Sequence, residues 1–149
     1  MKKVLSVLLV LLVLCGCGSK DSEITNLDYE KTITDLDNSY SNMVELSADE
    51  LSLVYGLEVS NCEKYMIKSS TLANGDFYAI LKVSKDNTSA VKSQMQNLFA
   101  TLESQSNLYS PDAVNLIKNR LETTIGDYLI YLVGKDTNAL YEIVKNNIK

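Results

Sequence analysis

The sequence predicts a single small α+β domain with antiparallel strands, and three features carry that reading. Two continuous apolar runs, Phe77 to Val83 and Tyr128 to Val133, have the composition of strands at the buried centre of a sheet. Each follows turn chemistry, Ala73-Asn74-Gly75-Asp76 or Ile125-Gly126-Asp127, and a further strand-like stretch, "EKYMIKSS" or "RLETT". Each precedes a Lys-Asp pair and apolar residues at helical spacing. Laid together, "GDFYAILKVSKDNTSAV" from Gly75 and "GDYLIYLVGKDTNALYE" from Gly126 define two ββα units. Their likeness fits a duplication and fits equally a turn and cap chemistry reached twice. The offset between the copies changes by one residue from Gly-Asp to Lys-Asp, so one strand is shorter or the other is bulged. The architecture expected is four antiparallel strands in two hairpins, with three to four helices over at least one face.

From the N-terminus, Met1-Lys2-Lys3 is followed by an apolar stretch from Val4 to Cys15 and then by small and polar residues, the order of a secretory signal peptide. The stretch falls short of the roughly 20 apolar residues needed to cross a bilayer. Leu14-Cys15-Gly16-Cys17 resembles the lipobox of bacterial lipoproteins, with Gly16 before the cut and Cys17 as the new N-terminus. The resemblance implies a cleaved signal over 1–16, a lipid anchor on Cys17, and residence on the outer face of the bacterial cytoplasmic membrane. Cleavage removes Cys15 and lipidation occupies Cys17, so Cys62 is left as the one free thiol and no intramolecular disulfide can form. The exported domain must hold together by packing, and 46% hydrophobic content with a single Pro suits that.

Residues 17–38 read as the lipidated cysteine and an acidic tether: Asp21, Glu23, Asp28, Glu30, Asp35 and Asp37 face only Lys20 and Lys31, and the apolar residues are dispersed. A frayed helix is allowed near the tether's end, and the domain is expected to occupy 39–149. Ser47-x-x-Glu50 is a capping box ahead of Leu51, Val54 and Tyr55, and Gly56 suits a left-handed stop, so a helix is expected over Ala48 to Tyr55. Val91, Met95, Leu98, Phe99 and Leu102 define a longer helix capped by Asn87 or Thr88. Ser110-Pro111-Asp112 starts another that runs to Lys118, with proline in the first position. Asp136 or Thr137 caps a final helix using Leu140, Tyr141, Ile143, Val144 and Ile148.

Met43 to Ser47, Tyr55-Gly56, Phe77 to Lys82, Tyr109-Ser110-Pro111 and Gly126-Asp127-Tyr128, in that order, resemble the pattern of a family of small bacterial lipoproteins catalogued as domain of unknown function 4358. The resemblance covers most of the domain, excluding the tether and Cys62. It implies a lipoprotein signal and one α+β domain, and it brings no established activity.

The chain contains no histidine, which removes the usual general base near neutral pH, the Ser-His and Cys-His nucleophile pairs and the imidazole metal ligands. Ser89-x-x-Lys92 has the spacing of a lysine-activated serine, but no Lys-Thr-Gly accompanies it; it reads as a helix's first turn with a solvated lysine. Cys62 reads as a small hydrophobe beside Glu63. Asp49 and Glu50 are adjacent on a helix and do not face one another. Asp35-x-Asp37 opens like a calcium loop, yet Tyr40 and Leu46 stand where Gly and Glu are needed. No cofactor or metal is expected.

The net charge of −5 becomes more negative once the signal lysines leave, which excludes a nucleic-acid partner. Tyr65, Tyr78, Tyr128 and Tyr131 fall on strands, as packing. Tyr55 at a helix end and Tyr109 in a loop are candidates for a binding surface or for the core's edge. The function expected is a non-catalytic binding or accessory module of the cell envelope, acting on another envelope protein, a peptide or a wall component. The alternative is a small envelope enzyme that uses carboxylate, lysine or Cys62 chemistry.

Overall fold

The computed structural model describes residues 26–149, so the signal region, Cys15 and Cys17 lie outside the described residues. In chain order the elements are α1 (Tyr29–Ser39), β1 (Met43–Glu45), α2 (Ala48–Tyr55), a 3₁₀ turn (Val59–Asn61), β2 (Lys64–Ser70), β3 (Phe77–Lys82), α3 (Thr88–Ser106), α4 (Pro111–Lys118), β4 (Leu121–Ile125), β5 (Tyr128–Val133) and α5 (Thr137–Lys145).

Successive side chains of a strand point to opposite faces, so the two central apolar strands create two apolar faces. Phe77, Ala79 and Leu81 of β3 share one face with Leu129, Tyr131 and Val133 of β5. Tyr78 and Ile80 share the other with Tyr128, Ile130 and Leu132. Each face needs its own cover. Leu51 of α2, Met95 and Phe99 of α3 and Ile117 of α4 close the first; Ile33 and Leu36 of α1 and Leu140 and Val144 of α5 close the second. The result is a three-layer sandwich around an antiparallel sheet ordered β1-β2-β3-β5-β4.

The sheet has five strands where the sequence predicts four, and the described residues hold five α-helices rather than three or four. The added strand, β1, has three residues and pairs only with β2, Met43 opposite Ser70 and Glu45 opposite Lys68. A strand this short carries no alternation that sequence could display. The added helix, α1, corrects the expected tether and the domain start at 39. Tyr29, Ile33 and Leu36 stand at four- and three-residue spacing, which gathers the scattered apolar residues into one buried stripe and leaves most of the acids outside. Its start is capped, with the Asp28 carboxylate accepting from Lys31 N–H at 3.3 Å. The packed domain therefore already includes Leu27, twelve residues ahead of the expected start.

The two ββα units share turns and caps but not packing. Phe77 and Tyr128 hold the same place in the shared pattern and point to opposite faces. A two-fold axis normal to the sheet relates adjacent antiparallel hairpins and would place both following helices on one face, whereas α3 and α5 cover opposite faces. Neither strand is shorter or bulged: β3 and β5 have six residues each in an unbroken ladder from Phe77–Val133 to Lys82–Tyr128. The extra residue lies in the connection that follows β3, Val83-Ser84-Lys85, against Gly134-Lys135 after β5.

Candidate functional site

The end of the sheet where β3 begins and β5 finishes carries two concavities, one on each side of Gly75-Asp76-Phe77. Gly75 makes this possible. It holds φ +81°, and a Cβ there would lie 2.9 Å from Ala113 Cβ, so α4 packs directly on the turn that a side chain would push away. Asp76 is fixed by Asn74, whose amide donates to Asp76 Oδ2 at 2.8 Å while its carbonyl accepts from Asp76 N–H at 3.1 Å.

On the α3/α4 side lies a groove of about 400 Å³, lined by Ser70, Leu72, Phe77, Leu102, Tyr109 and Ile117 among others. Ser110 caps α4, accepting from Ala113 N–H, and the loop it ends thrusts Tyr109 into solvent. Tyr109 is 82% exposed and Leu108 beside it 76%, while Leu72 across the groove is 51% exposed. The concavity is mainly apolar, with serine hydroxyls and Gln105 at its edge and the exposed Leu72 and Tyr109 on its rim.

On the α1/α5 side lies a cavity of about 310 Å³ whose lining includes Tyr40, Asp76, Lys135, Asp136, Leu140 and Ile143. Tyr40 follows α1 and ties it to both central strands, its hydroxyl donating to Val133 O at 3.0 Å with Phe77 O also in reach at 3.3 Å. Burial, reinforced by the Asp76 charge, holds the Tyr40 phenol above its ordinary range. Burial also raises the Asp76 carboxyl, opposed by the Asn74 hydrogen bond and then by the Lys135 charge. Asp136 caps α5, accepting from Ala139 N–H at 2.9 Å. Gly134 lets α5 approach, because a Cβ there would stand 3.0 Å from Leu140 Cδ1.

Of the two tyrosines singled out in the sequence, Tyr109 lines the groove and Tyr55 does not. Tyr55 is half-buried at the end of α2 against the first core, where burial and then the Glu50 charge raise its phenol. Ser89 and Lys92 are both exposed, with no hydrogen bond between them among the described residues. Burial pushes the Cys62 thiol up to about 11, which disfavours its thiolate at neutral pH. Asp35 and Asp37 sit within α1, Asp35 bonded to Lys31 and Asn147, Asp37 to Lys68 and Tyr78. Among the described residues no group of three or more His, Cys, Asp or Glu is placed to hold a metal ion. Leu72, Asp76 and Lys135 escaped the sequence reading as site residues. The recurring Gly-Asp and Lys-Asp pairs marked the last two positions, but local turn and cap chemistry accounted for them.

No curated protein and no solved structure matches the chain. A family model does, over residues 35–134, from within α1 to the glycine that follows β5, and so across the Tyr109 groove but only Ser39, Tyr40, Asp76 and Gly134 of the second cavity's lining. That match spans more than half of the sequence, and the chain belongs to the family described as a domain of unknown function (DUF4358).

Proposed function

We propose that this chain is a lipid-anchored, extracytoplasmic binding module that takes an apolar segment of an envelope protein or peptide into the groove beside Tyr109. The exposed Tyr109 on the rim of an apolar groove carries the reading: tyrosine offers a large apolar face and a polar tip, at a low entropy cost on contact. The lipobox-like Leu14-Cys15-Gly16-Cys17 supports the anchor. The position of the groove supports both together. The chain enters the domain at the opposite end of the sheet, where Tyr29 stacks on Tyr128 at 6.1 Å and Tyr128 pairs with Lys82. Residues 18–25 separate Cys17 from the first described residue, a span of at most about 30 Å. The groove is thus at the end of the sheet distant from the proposed attachment.

Site-specific photocrosslinking in intact cells tests the binding role. A photoreactive residue in place of Tyr109 is expected to yield a discrete adduct that Leu72→Asp abolishes, while the same residue in place of the exposed Ser89 yields none. Absence of an adduct at 109, or the same adduct from both positions, contradicts the proposal.

A further inference from the structure

The cavity between the end of α1 and the start of α5 holds two opposite charges that do not pair. Asp76 Oδ2 accepts from Asn74, but Asp76 Oδ1 has no hydrogen-bond donor among the described residues. Oδ1 lies on the Gly134 side, 3.7 Å from where a Cβ at that glycine would stand. Lys135, on the same cavity wall, makes no ion pair within 4.0 Å among the described residues, Asp76 included. An ammonium and a carboxylate in one concavity that stand apart leave a gap suited to a ligand bearing the complementary pair.

The other polar side chains of the lining each have a structural partner, although the outer oxygen of the exposed Asp136, Oδ2, has none among the described residues. Tyr40 OH is committed to the carbonyls of the central strands, Ser39 OH donates to Asp35 O at 3.0 Å, and Asp136 caps α5. The rest of the lining offers apolar contact: the Tyr40 ring with Ala139, Leu140 and Ile143. A cavity of about 310 Å³ is at the small end of ligand sites, which excludes a nucleotide or a long oligomer and admits one small molecule.

We propose that this cavity binds a free apolar α-amino acid as its zwitterion, the ammonium on Asp76 Oδ1, the carboxylate on Lys135 Nζ, and the side chain against Tyr40, Leu140 and Ile143. A simple amine engages only Asp76 and a simple fatty acid only Lys135, so each makes one of the two charge-assisted contacts. The site is separate from the Tyr109 groove and stands whether or not that groove binds an envelope partner.

Calorimetric or NMR titration of the domain starting at Cys17 tests it, with L-leucine as probe and isoamylamine and isocaproate as its two half-ligands. L-leucine is expected to bind saturably, with each half-ligand weaker by about tenfold or more. Asp76→Asn and Lys135→Gln are each expected to weaken L-leucine binding by about tenfold, with resonance dispersion or the unfolding midpoint checking that the fold is kept. Lys135 is exposed and outside any ion pair among the described residues, so Lys135→Gln keeps the test decisive if Asp76→Asn disturbs the turn. The proposal is overturned by an absence of saturable L-leucine binding up to about 10 mM. It is also overturned by L-leucine binding that survives Lys135→Gln unchanged, or by a half-ligand that binds as tightly as L-leucine.

Discussion

Leu27 and Ile148 form an antiparallel bridge that joins the start of the packed domain to the end of the chain. Asp28 N–H donates to Asn147 O at 2.8 Å, and Lys149 N–H to Asn26 O at 2.7 Å, so a short ladder clasps α1 and α5 over the second face. This clasp makes α1 part of the domain although the acidic sequence around it resembles a linker.

Leu27 is buried within that face, so Leu27→Ala is expected to destabilise the domain by about 2–4 kcal/mol. Removing residues 146–149 is expected to cost a similar amount and to raise amide exchange in α1 above that in β3 and β5. Urea unfolding with hydrogen exchange measures both; unchanged protection of α1 after the truncation would show that the clasp holds nothing.

Within the same face, Asp37 accepts from Tyr78 OH at 2.8 Å and from Lys68 Nζ at 2.7 Å. Tyr78 is fully buried, so Asp37→Ala strands its hydroxyl and is expected to cost about 1–3 kcal/mol. Tyr78→Phe removes that donor and is expected to cost less in the Asp37→Ala background than in the wild type. A double-mutant cycle in urea reads the difference.

Acid should loosen the α1–α5 layer first. The hydrogen bond from Lys149 holds the Asp28 carboxyl below its ordinary 3.8, and those from Lys31 and then Asn147 do the same to Asp35. A carboxyl lowered in the folded state contributes stability above its unfolded pKa and loses it as pH falls through the folded one. Amide exchange in α1 and α5 is therefore expected to rise relative to β3 below the ordinary carboxyl value, and Asp35→Asn is expected to flatten that dependence. Uniform loss of protection across the domain would contradict it.

Two glycines with similar backbone angles give a controlled comparison. Gly56 and Gly75 have φ +67° and +81°, but nothing lies within 4 Å of a Cβ at Gly56, whereas Ala113 blocks one at Gly75. Gly56→Ala is expected to cost about 1 kcal/mol, from backbone strain alone, and Gly75→Ala roughly 2–4 kcal/mol. Ala113→Gly should restore part of the Gly75→Ala loss and none of the Gly56→Ala loss.

How much of this was legible depended on how local the causes were. The bounds of α2 and α4 follow from Ser47, Gly56, Ser110 and Pro111, which act within one turn, and the sequence places both helices where the structure has them. The central strands were visible because both their faces are apolar. β1 was invisible because three residues take their conformation from β2, and α1 was obscured because its stripe gains meaning only against Tyr78, Ile80 and the C-terminal clasp. Tyr55 and Tyr109 looked alike in sequence; exposure separates them, and it depends on how α2 and the α3–α4 loop pack. Asp76 and Lys135 become neighbours only because the register sets Phe77 opposite Val133, a pairing across 56 positions that no local pattern encodes.

The proposed role depends first on Cys17, and metabolic labelling with a fatty-acid analogue tests that most directly. The wild-type chain is expected to be labelled and membrane-bound, Cys15→Ala to remain so, and Cys17→Ala to lose both label and membrane association. A Cys17→Ala protein that is still labelled and membrane-bound to the wild-type extent would contradict the lipid anchor and, with it, the proposed attachment of the groove-bearing domain.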